Sequence, residues 1–445
     1  MKVVLGVSGG IAAYKACELL RLFTESGHEV RVVPTREALR FVGEPTWAAL
    51  SGRPVSSEVW DDVHEVPHVR IGQGADLVVV APATADVLAR AAHGLAGDLL
   101  TNTLLTARCP VVFAPAMHTE MWQHPATRAN VATLRERGSI VIDPAVGRLT
   151  GADTGPGRLP DPAEIFQVCL RVLRGRPSDL AGRKVVISAG GTREPVDPVR
   201  YIGNRSSGLQ GYALARTAVA RGAEVTVVAA NVTLPDPAGA TVVRVESTAE
   251  LRDAVLAAAP AADVVVMAAA VADFRPAVRH DSKIKKTDGE PEAITLVKNP
   301  DVLAELGELR RAATGAVPAA VAGAAPGPGG LPPYVATAGR SPGAEERSSE
   351  AEERSPGAGV RGPYPEVIVG FAAETDDVLA NGQAKLARKG CDLLVVNQVG
   401  PGLAFGTPDN AAVVLVAGGE PVEVPRGPKE DVADAVWDLV AARLA

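Results

Sequence analysis

Two stretches of the chain share one order of hydrophobic and polar positions. A Val-rich run from Lys2 ends in a pair of glycines, a helical pattern covers residues 11–24, and a second apolar run begins at Gly27. The second half repeats this order from Lys184, with a helical pattern over residues 211–220. Continuous Val-rich runs that alternate with helical segments are typical of buried parallel strands. The pattern predicts an α/β protein with two tandem doubly wound, mainly parallel sheets.

Further apolar runs predict the other strands of both sheets. They lie at residues 77–81 and 111–114 in the first half, and at residues 222–228, 242–245, 263–268, 366–370 and 392–396 in the second. A polar, turn-rich stretch at residues 174–182 separates the halves, so the predicted domains span residues 1–178 and 182–445.

One long segment departs from this pattern. Residues 312–365, approximately, consist mainly of Ala, Gly, Pro, Ser, Glu and Arg, with few bulky apolar side chains. Such a composition buries too little surface to offset the entropy of ordering the chain. We therefore expect a disordered insertion in a surface loop of the second domain, which is tolerated because loop-closure entropy grows slowly with length.

Composition and charge exclude several classes of protein. The 445 residues carry a net charge of −7, which argues against a general nucleic-acid binder. The apolar runs are too short to span a bilayer. Met1 leads directly into a strand, which predicts that there is no signal peptide. The four cysteines lack CxxC spacing, so we expect a protein of the reducing cytoplasm without disulfides or a zinc site.

Glycine-rich turns supply the first chemical signal. Ser8, Gly9 and Gly10 lie between a strand and a helix, where the backbone can approach a phosphate, although such a turn can also be a simple connection. Neither half contains GxGxxG or GxxxxGK[ST], so a standard NAD site or P-loop is not supported. In the second half about 13 extra residues, rich in Arg, Ser and Asn, separate strand from helix. A long polar loop at the carboxyl end of the first strand favours a ligand-binding site over a surface loop without a binding role.

Ten motifs, in order over both halves, resemble the family of bifunctional coenzyme A biosynthesis proteins, in which phosphopantothenoylcysteine decarboxylase is fused to phosphopantothenate–cysteine ligase. The motifs are Gly-Val-Ser-Gly-Gly-Ile-Ala-Ala-Tyr-Lys15, Ala-Pro-Ala-Thr-Ala-Asp86, Pro-Ala-Met117, Gly-Pro-Gly-Arg158, Gly-Gly-Thr-Arg-Glu-Pro-Val-Asp197, Asn-Arg-Ser-Ser-Gly208, Ala-Ala-Ala-Val-Ala-Asp273, Lys-Ile-Lys-Lys286, Lys-Asn-Pro-Asp301 and Gly-Phe-Ala-Ala-Glu-Thr375.

For the first half, the resemblance implies a flavodoxin-like flavoprotein domain that binds FMN and decarboxylates 4'-phosphopantothenoylcysteine to 4'-phosphopantetheine. His68 matches the catalytic histidine of the family, and imidazole can accept a proton or guide the carboxylate. The implied contacts to FMN are Ser8, Gly9, Gly10, Thr35 and Thr84.

Two positions of the first half depart from the family pattern. His118 stands where the family commonly has Asn, although a histidine ring nitrogen can still donate a hydrogen bond. Gly151 stands where the flap commonly carries a cysteine that donates a proton. Thr150, Asp153, Thr154 or water then donates that proton, or the reaction stops at the enethiol; we expect full activity.

For the second half, the resemblance implies a Rossmann-like ligase domain that joins 4'-phosphopantothenate to cysteine with CTP through an acyl-cytidylate. Lys283 and Lys285 would share one face of an extended segment, a cationic cluster that suits phosphate groups or is a solvated loop. The implied catalytic residues are Arg200, Asn204 and Lys283, with His68 and His118 in the first half. The implied nucleotide contacts are Asp273, Lys283, Asn299, Pro300, Asp301, Val302, Phe371, Lys385 and Lys389.

The resemblance also implies accessory features of the second half and of the assembly. Asp273 can help to hold Mg²⁺. The family implies a homo-oligomer with trimeric flavin domains and dimeric ligase domains, and small-molecule partners without nucleic acid or membrane. Two other hypotheses stay open: a ligase whose flavin half is non-catalytic or incomplete, and a tandem dinucleotide-binding oxidoreductase.

Overall fold

The computed structural model describes most of both halves of the chain. The ranges are residues 1–55, 67–149, 153–175, 178–285, 293–314, 364–374, 378–398 and 409–445. Gly151, Thr150, Lys286 and nearly all of the predicted insertion lie outside the described residues.

The first half forms a parallel sheet between two layers of helices. The order β2-β1-β3-β4-β5 reverses between β1 and β3, which is the flavodoxin-like arrangement. The strands are β1 (Lys2–Val7), β2 (Glu29–Pro34), β3 (Leu77–Ala83), β4 (Val111–Pro115) and β5 (Ile140–Val141), followed by the antiparallel hairpin of β6 (Ala145–Arg148) and β7 (Thr154–Arg158). The helices are α1 (Ala16–Glu25), α2 (Glu44–Ser51), α3 (Pro67–Gly74), α4 (Ala85–His93), α5 (Leu99–Thr106), α6 (Thr119–Gln123), α7 (Pro125–Glu136) and α8 (Pro162–Leu173).

Burial explains why these residues form strands. All seven residues of β3 are buried, because helices cover the sheet on both faces. Phe23 of α1 and Ile165 of α8 pack on one face, whereas Leu88 of α4 and Leu134 of α7 pack on the other. The helix predicted over residues 11–24 begins as a 3-10 helix (Ile11–Lys15) and continues as α1.

The second half repeats the three-layer plan around a larger sheet. Its strands are β8 (Lys184–Gly190), β9 (Arg193–Pro195), β10 (Tyr201–Gly203), β11 (Glu224–Ala230), β12 (Ala240–Val245), β13 (Val264–Met267), β14 (Phe274–Pro276), β15 (Leu296–Lys298), β16 (Val367–Glu374), β17 (Leu393–Gln398), β18 (Asp409–Val416) and β19 (Val422–Pro428). Its helices are α9 (Leu209–Ala220), α10 (Thr248–Ala258), α11 (Val302–Thr314), α12 (Val378–Lys389) and α13 (Lys429–Leu444).

The order of the large sheet is β12-β11-β8-β13-β16-β17-β18-β19. The first six strands are parallel in the Rossmann order, with the reversal between β8 and β13. The sequence pattern did not predict β18 and β19, which pair antiparallel at one edge, or the hairpins β9–β10 and β14–β15. No helix in the described ranges is long and apolar enough to cross a membrane.

Both halves anchor their first strand in the same way. The Asp76 carboxylate accepts a hydrogen bond from the Lys2 amide at 2.7 Å, and the Asp263 carboxylate accepts one from the Lys184 amide at 2.6 Å. In each half the aspartate directly precedes the strand on the far side of the reversal. The repeated opening of the sequence therefore corresponds to a repeated structural unit.

A buried ionic cluster joins the two halves. Arg171, on the last helix of the first half, donates to Asp434 of α13 at 2.6 Å. Arg221, which is 1% exposed, binds Asp179 of the connecting segment and donates to Asp438 at 2.8 Å. Breaking one partner of such a buried cluster leaves an uncompensated charge, so the cluster fixes how α8 meets α9 and α13.

Glu164 lies beside this junction, in a small cavity of about 40 Å³ between α8 and α9. Burial raises the pKa of the Glu164 carboxyl to about 7. The Arg216 guanidinium opposes this shift and the Asp161 carboxylate adds to it. Because the pKa is raised in the folded protein, the contribution of Glu164 to stability is present below about pH 4.5 and is lost as the pH rises through about 7.

We predict that Glu164→Gln flattens the dependence of stability on pH. Between pH 5 and pH 8 the unmodified protein should lose about 2 kcal/mol of stability that the variant keeps. Unfolding midpoints at several pH values measure the difference. Glu136→Gln, at an exposed position of α7, is the control. Parallel curves for Glu164→Gln and the unmodified protein would contradict this prediction.

Candidate active sites

In the first half, the loops that follow three neighbouring strands meet at the carboxyl edge of the sheet. The Ser8 hydroxyl, after β1, donates to the Pro82 carbonyl at 2.7 Å, and the Thr84 amide, after β3, donates to Ser8 Oγ at 2.9 Å. Thr84 also caps α4, since its hydroxyl accepts from the Val87 amide. Ser8 and Thr84 therefore lie together at the reversal of strand order.

The glycines of this loop allow a close approach of two backbones. A side chain at Gly9 would lie 2.3 Å from Cβ of Glu37, in the loop after β2. A side chain at Gly10 would have Thr84 as its nearest neighbour, at 3.8 Å. Thr35 is buried and its hydroxyl accepts from the Ala38 amide at 3.2 Å. The loops after β1, β2 and β3 therefore meet around Gly9 and Gly10 and form one cradle.

His68 lies elsewhere in the first half, on α3, which packs against α5. Thr106 of α5 donates to the His68 carbonyl at 2.8 Å, which fixes the backbone of His68. The His68 ring atom Nδ1 is buried and has no hydrogen-bond partner among the residues the structure describes. A buried ring nitrogen without a partner is unfavourable, so it marks a position where a ligand can contribute.

His118 is exposed and lies between two residues that contact the β6–β7 hairpin. The Met117 amide donates to the Gly157 carbonyl at 2.9 Å, and a side chain at Gly157 would lie 2.2 Å from the Met117 carbonyl. A side chain at Gly155 would lie 2.4 Å from Thr119 Oγ1. Only glycines permit this contact, which holds the described part of the hairpin against residues 117–119.

In the second half, the carboxyl edge of the large sheet opens into a cleft of about 960 Å³. The loop before α9, the segment after β13 and the start of α11 form much of its wall. Most of the predicted nucleotide contacts lie in this wall, which includes Asn204, Asp273, Asn299, Pro300, Asp301, Val302, Phe371, Lys385 and Lys389.

Amide side chains hold the cleft loops in place. Asn204 donates to the Val271 carbonyl at 2.9 Å, across the reversal between β8 and β13. Asn299 donates to the Ala272 carbonyl at 2.8 Å and accepts from Arg275 at 2.9 Å. These bonds connect the segment after β13 to both neighbouring loops.

Helix α12 contributes cations to the cleft wall. Lys385 and Lys389 are one turn apart on the helix, as the spacing predicted, and both lie in the cleft wall. Lys389 is ion-paired with Asp301, the residue directly before α11. The pair connects α12 to the loop that contains Asn299 and Pro300.

Arg200 and Lys283 are not in the cleft wall, and the structure places them beside each other. The Arg200 guanidinium donates to the Ile284 carbonyl at 3.2 Å, and Lys283 precedes Ile284 on an exposed extended segment. The buried Asp197 carboxylate accepts from the amides of Val199 and Arg200, each at 2.8 Å, and from the Ile284 amide at 3.2 Å. Asp197 therefore fixes the position of the Lys283 segment.

The pKa of Asp197 reflects this role. Burial alone would raise the pKa, but the amide donors of Val199, Ile284 and Arg200 and the Arg200 charge together lower it below its ordinary value. Asp197 is the last residue of one of the ten motifs, but the motif by itself did not indicate a function for it.

Asn397 is a second site residue that the sequence did not identify. It lies at the carboxyl end of β17 and in the cleft wall, and its side-chain oxygen is buried without a hydrogen-bond partner within the described part of the chain. Its place at the end of a predicted strand, where open α/β sheets bind ligands, was the available signal.

Family models match both halves of the chain. The model described as Flavoprotein matches residues 1–174. The model described as DNA/pantothenate metabolism flavoprotein C-terminal domain matches residues 180–322 and 359–444.

Curated relatives extend the match to the whole chain. The coenzyme A biosynthesis bifunctional protein CoaBC of Mycolicibacterium smegmatis is 54% identical over 451 residues, covering 100% of this chain and 98% of that protein. The CoaBC protein of Vibrio vulnificus is 40% identical, covering 94% and 92%. This chain belongs to the bifunctional coenzyme A biosynthesis family.

Solved structures resemble the two halves separately. The C-terminal domain of a CoaBC protein is 28% identical, with a TM-score of 0.42, and covers 60% of this chain and 98% of that one. A PPC decarboxylase mutant complexed with pantothenoylaminoethenethiol is 31% identical, with a TM-score of 0.36, and covers 39% of this chain and 98% of that one.

Membership of the bifunctional family confirms the main prediction from the motifs. The protein is an enzyme of coenzyme A biosynthesis in which a flavoprotein decarboxylase half precedes a ligase half. The predicted fold, a flavodoxin-like domain followed by a Rossmann-like domain, is confirmed. Between the open hypotheses, the family favours this enzyme over a tandem dinucleotide-binding oxidoreductase.

We predict that Asp197→Asn reduces ligation because it releases the Lys283 segment. The kcat/KM for ligation should fall about tenfold or more, since small misplacements of reacting groups are costly. Decarboxylation by the first half should be unchanged. Steady-state assays of each half-reaction measure this, with Asp281→Asn, at an exposed position of the same segment, as the control. Equal losses in both variants would contradict the role of Asp197.

Proposed function

We propose that residues 182–445 ligate 4'-phosphopantothenate to cysteine with CTP, and that residues 1–178 then decarboxylate the product with FMN. The first activity is that of a carbon–nitrogen ligase and the second that of a carbon–carbon lyase. The observation that carries the proposal is the cleft of the second half, where predicted nucleotide contacts from separate loops converge, together with the family to which the chain belongs.

The ligase chemistry has two steps. The carboxylate oxygen of phosphopantothenate attacks the α-phosphorus of CTP, and pyrophosphate leaves. The cysteine nitrogen then attacks the acyl carbon, loses a proton and displaces CMP. Negative charge develops on phosphate oxygens in the first step, so fixed cations close to them accelerate it.

Cations of the second half suit these steps. Lys385 and Lys389 supply charge in the cleft wall, and Lys283 is a cation outside that wall, on a segment that Asp197 and Arg200 hold. We assign Asn204 to the acyl-cytidylate and Arg200 to cysteine or that intermediate. Asn299, Pro300, Val302 and Phe371 would bind the nucleotide. The preference for CTP over ATP rests on the family resemblance.

Mg²⁺ would bind in this cleft through Asp273. The described residues contain no cluster of three or more metal-binding side chains, so protein groups alone do not form a cage. Mg²⁺ commonly binds through one or two carboxylates together with substrate phosphates and water. Asp273 in the cleft wall fits that pattern, with the triphosphate supplying further oxygen ligands.

The cradle of the first half fits the phosphate of FMN. A side chain at Gly10 would meet nothing closer than Thr84 at 3.8 Å, and Ser8 and Thr84 are hydrogen-bonded to each other beside it; Gly9 and Thr35 would complete the contacts to the phosphate. When bound, FMN would accept electrons from the substrate thiol and return them to the product, so that no net oxidant is consumed. The residues of the cradle would hold and orient FMN.

The histidines would act on the substrate. His68, whose Nδ1 lacks a partner within the described ranges, would accept a proton or guide the carboxylate that leaves as CO₂. His118 would hold that carboxylate by donation from its ring. The β6–β7 hairpin contacts the neighbouring residues Met117 and Thr119, which fixes the backbone on both sides of His118.

Exposed apolar side chains support the predicted assembly. The adjoining hairpins β9–β10 and β14–β15 expose Val199, Tyr201, Phe274 and Leu296, and we propose that ligase halves pair there as dimers. Ile11 and Tyr14, beside the cradle, are 70% and 60% exposed, and we propose that they contribute to contacts within a trimer of flavin domains. The four free thiols support a reducing compartment, and we propose the cytoplasm.

We predict that Lys283→Gln abolishes most of the ligation and leaves decarboxylation intact. Loss of a cation that stabilises charge only in the transition state lowers kcat by about a hundredfold. Release of CMP in the presence of CTP, cysteine and phosphopantothenate measures ligation, and CO₂ release from supplied phosphopantothenoylcysteine measures the other half. Lys285→Gln, on the same segment, is the matched control. Undiminished ligation in Lys283→Gln would contradict the assignment.

We predict that the first half completes its reaction although Gly151 replaces the flap cysteine. The product of a full turnover should have the mass of 4'-phosphopantetheine, because Asp153, Thr154, Thr150 or water supplies the proton. Mass spectrometry of the products tests this. Accumulation of a species two hydrogens lighter would show that the reaction stops at the enethiol, and absence of CO₂ would favour a non-catalytic flavin half.

A further inference from the structure

Glu194 is a buried carboxylate that hydrogen bonds connect to the wall of the ligase cleft. It is the middle residue of β9, is 3% exposed, and does not itself line the cleft. The motif that contains Glu194 did not indicate a role for it. The following inference rests on the proposed ligase function and adds a positioning residue to it.

Glu194 accepts two hydrogen bonds from the first residue of α10. The Thr248 hydroxyl donates to Glu194 Oε1 at 2.6 Å, and the Thr248 amide donates to the same oxygen at 2.9 Å. Thr248 is fully buried, and a hydroxyl-to-carboxylate distance of 2.6 Å is typical of a charge-assisted hydrogen bond. The single hydrogen of the Thr248 hydroxyl is therefore donated to Glu194.

The Thr248 oxygen can then only accept further hydrogen bonds. Asn299 Nδ2 donates to Thr248 Oγ1 at 3.2 Å, and Thr192 Oγ1 lies 3.1 Å from it. Because the Thr248 hydrogen is already donated, the Thr192 hydroxyl is the donor of that pair. The Thr192 oxygen in turn accepts from the Ala272 amide at 2.9 Å. One carboxylate thus sets the direction of the hydrogen bonds around Thr248.

These directions determine how the Asn299 amide is oriented. Its two Nδ2 hydrogens go to Thr248 Oγ1 and, at 2.8 Å, to the Ala272 carbonyl, and both of these oxygens can only accept. Asn299 Oδ1 accepts from Arg275 at 2.9 Å, and the Asn299 backbone amide donates to the Asp273 carbonyl at 2.9 Å. Asn299 therefore connects the buried hydroxyl to Asp273, and Asn299 and Asp273 both line the cleft.

We propose that Glu194 is a positioning residue of the nucleotide site, which acts through the Thr248 hydroxyl. That hydroxyl holds the Asn299 side chain in one orientation, and through Thr192 it helps to fix the segment that contains Asp273. Without the carboxylate, the Thr248 hydroxyl is free to donate to Asn299 Oδ1, so the amide no longer has a single preferred orientation. Asn299 and Asp273 are proposed contacts of CTP, so the loss should affect CTP first.

The test compares Glu194→Ala with the unmodified full-length enzyme. The KM for CTP should rise about tenfold, because small misplacements of binding groups are costly. The KM for phosphopantothenate and the KM for cysteine should stay within about twofold, a split that a general loss of structure would not give. Glu194→Gln should recover most of the affinity for CTP, because its amide oxygen can still accept from the Thr248 hydroxyl and amide.

Glu250→Ala is the matched control. Glu250 caps the same end of α10 by accepting from the Glu246 amide at 2.7 Å, and within the described residues it makes no hydrogen bond to Thr248 or Asn299. The variant weakens the start of α10 without releasing the Thr248 hydroxyl, so its KM for CTP should be that of the unmodified enzyme. If Glu194→Ala keeps the KM for CTP, or if Glu250→Ala raises it equally, the proposal is wrong.

Variants of Thr248 test the hydroxyl without removing the carboxylate, and they decide the matter even if Glu194→Ala does not fold. Thr248→Val keeps the branched shape but lacks the hydroxyl, so it should raise the KM for CTP, whereas Thr248→Ser should not. Combining Thr248→Val with Glu194→Ala should add little to either change, since both act through one hydrogen bond. An unchanged KM for CTP in Thr248→Val, or additive effects, would overturn the proposal. If the unmodified enzyme does not ligate with CTP at all, the proposed function fails instead.

Discussion

The architecture depends on one constraint: the backbone groups of buried, Val-rich strands must form hydrogen bonds to each other. In a parallel sheet covered on both faces, the carboxyl ends of the strands and the loops that follow them meet at one edge. Where the strand order reverses, neighbouring loops diverge to opposite faces and leave a crevice. Each half of this enzyme has such a reversal, between β1 and β3 and between β8 and β13. Ser8 and Thr84 flank the first, and Asn204 flanks the second.

The two halves form their candidate sites with different loops after the first strand. In the first half, glycines bring the loop after β1 against Glu37 and form a small cradle. In the second, the longer loop after β8 folds into the β9–β10 hairpin, which places Asp197 and Arg200 against the Lys283 segment. The cleft of this half is large, at about 960 Å³, and α12 contributes cations to its wall, which suits a triphosphate and a second anionic substrate together. The buried cluster around Arg171 and Arg221 then fixes one half against the other.

Local patterns identified most of the parallel strands of the two large sheets. The runs at residues 77–81 and 111–114 are β3 and β4, and the helical spacing of Lys385 and Lys389 places both on α12. The edge strands β18 and β19 were not predicted; only Val424 is buried in β19, so this strand lacks the continuous apolar run that marked the others. The hydrogen bond between Asn410 and Gln210 was also missed, because these residues are 200 positions apart in sequence.

The sequence by itself determined the alternation of strand and helix, the repeated unit, the family and most of the residues that line the ligase cleft, because these depend on short-range patterns and motifs. The tertiary structure decided which polar groups meet. Asp197 with Ile284, Lys389 with Asp301, and the hairpin glycines with residues 117–119 are pairings across separate loops. The geometry of these pairings depends on strand order and loop packing, so a local pattern of residues cannot predict it.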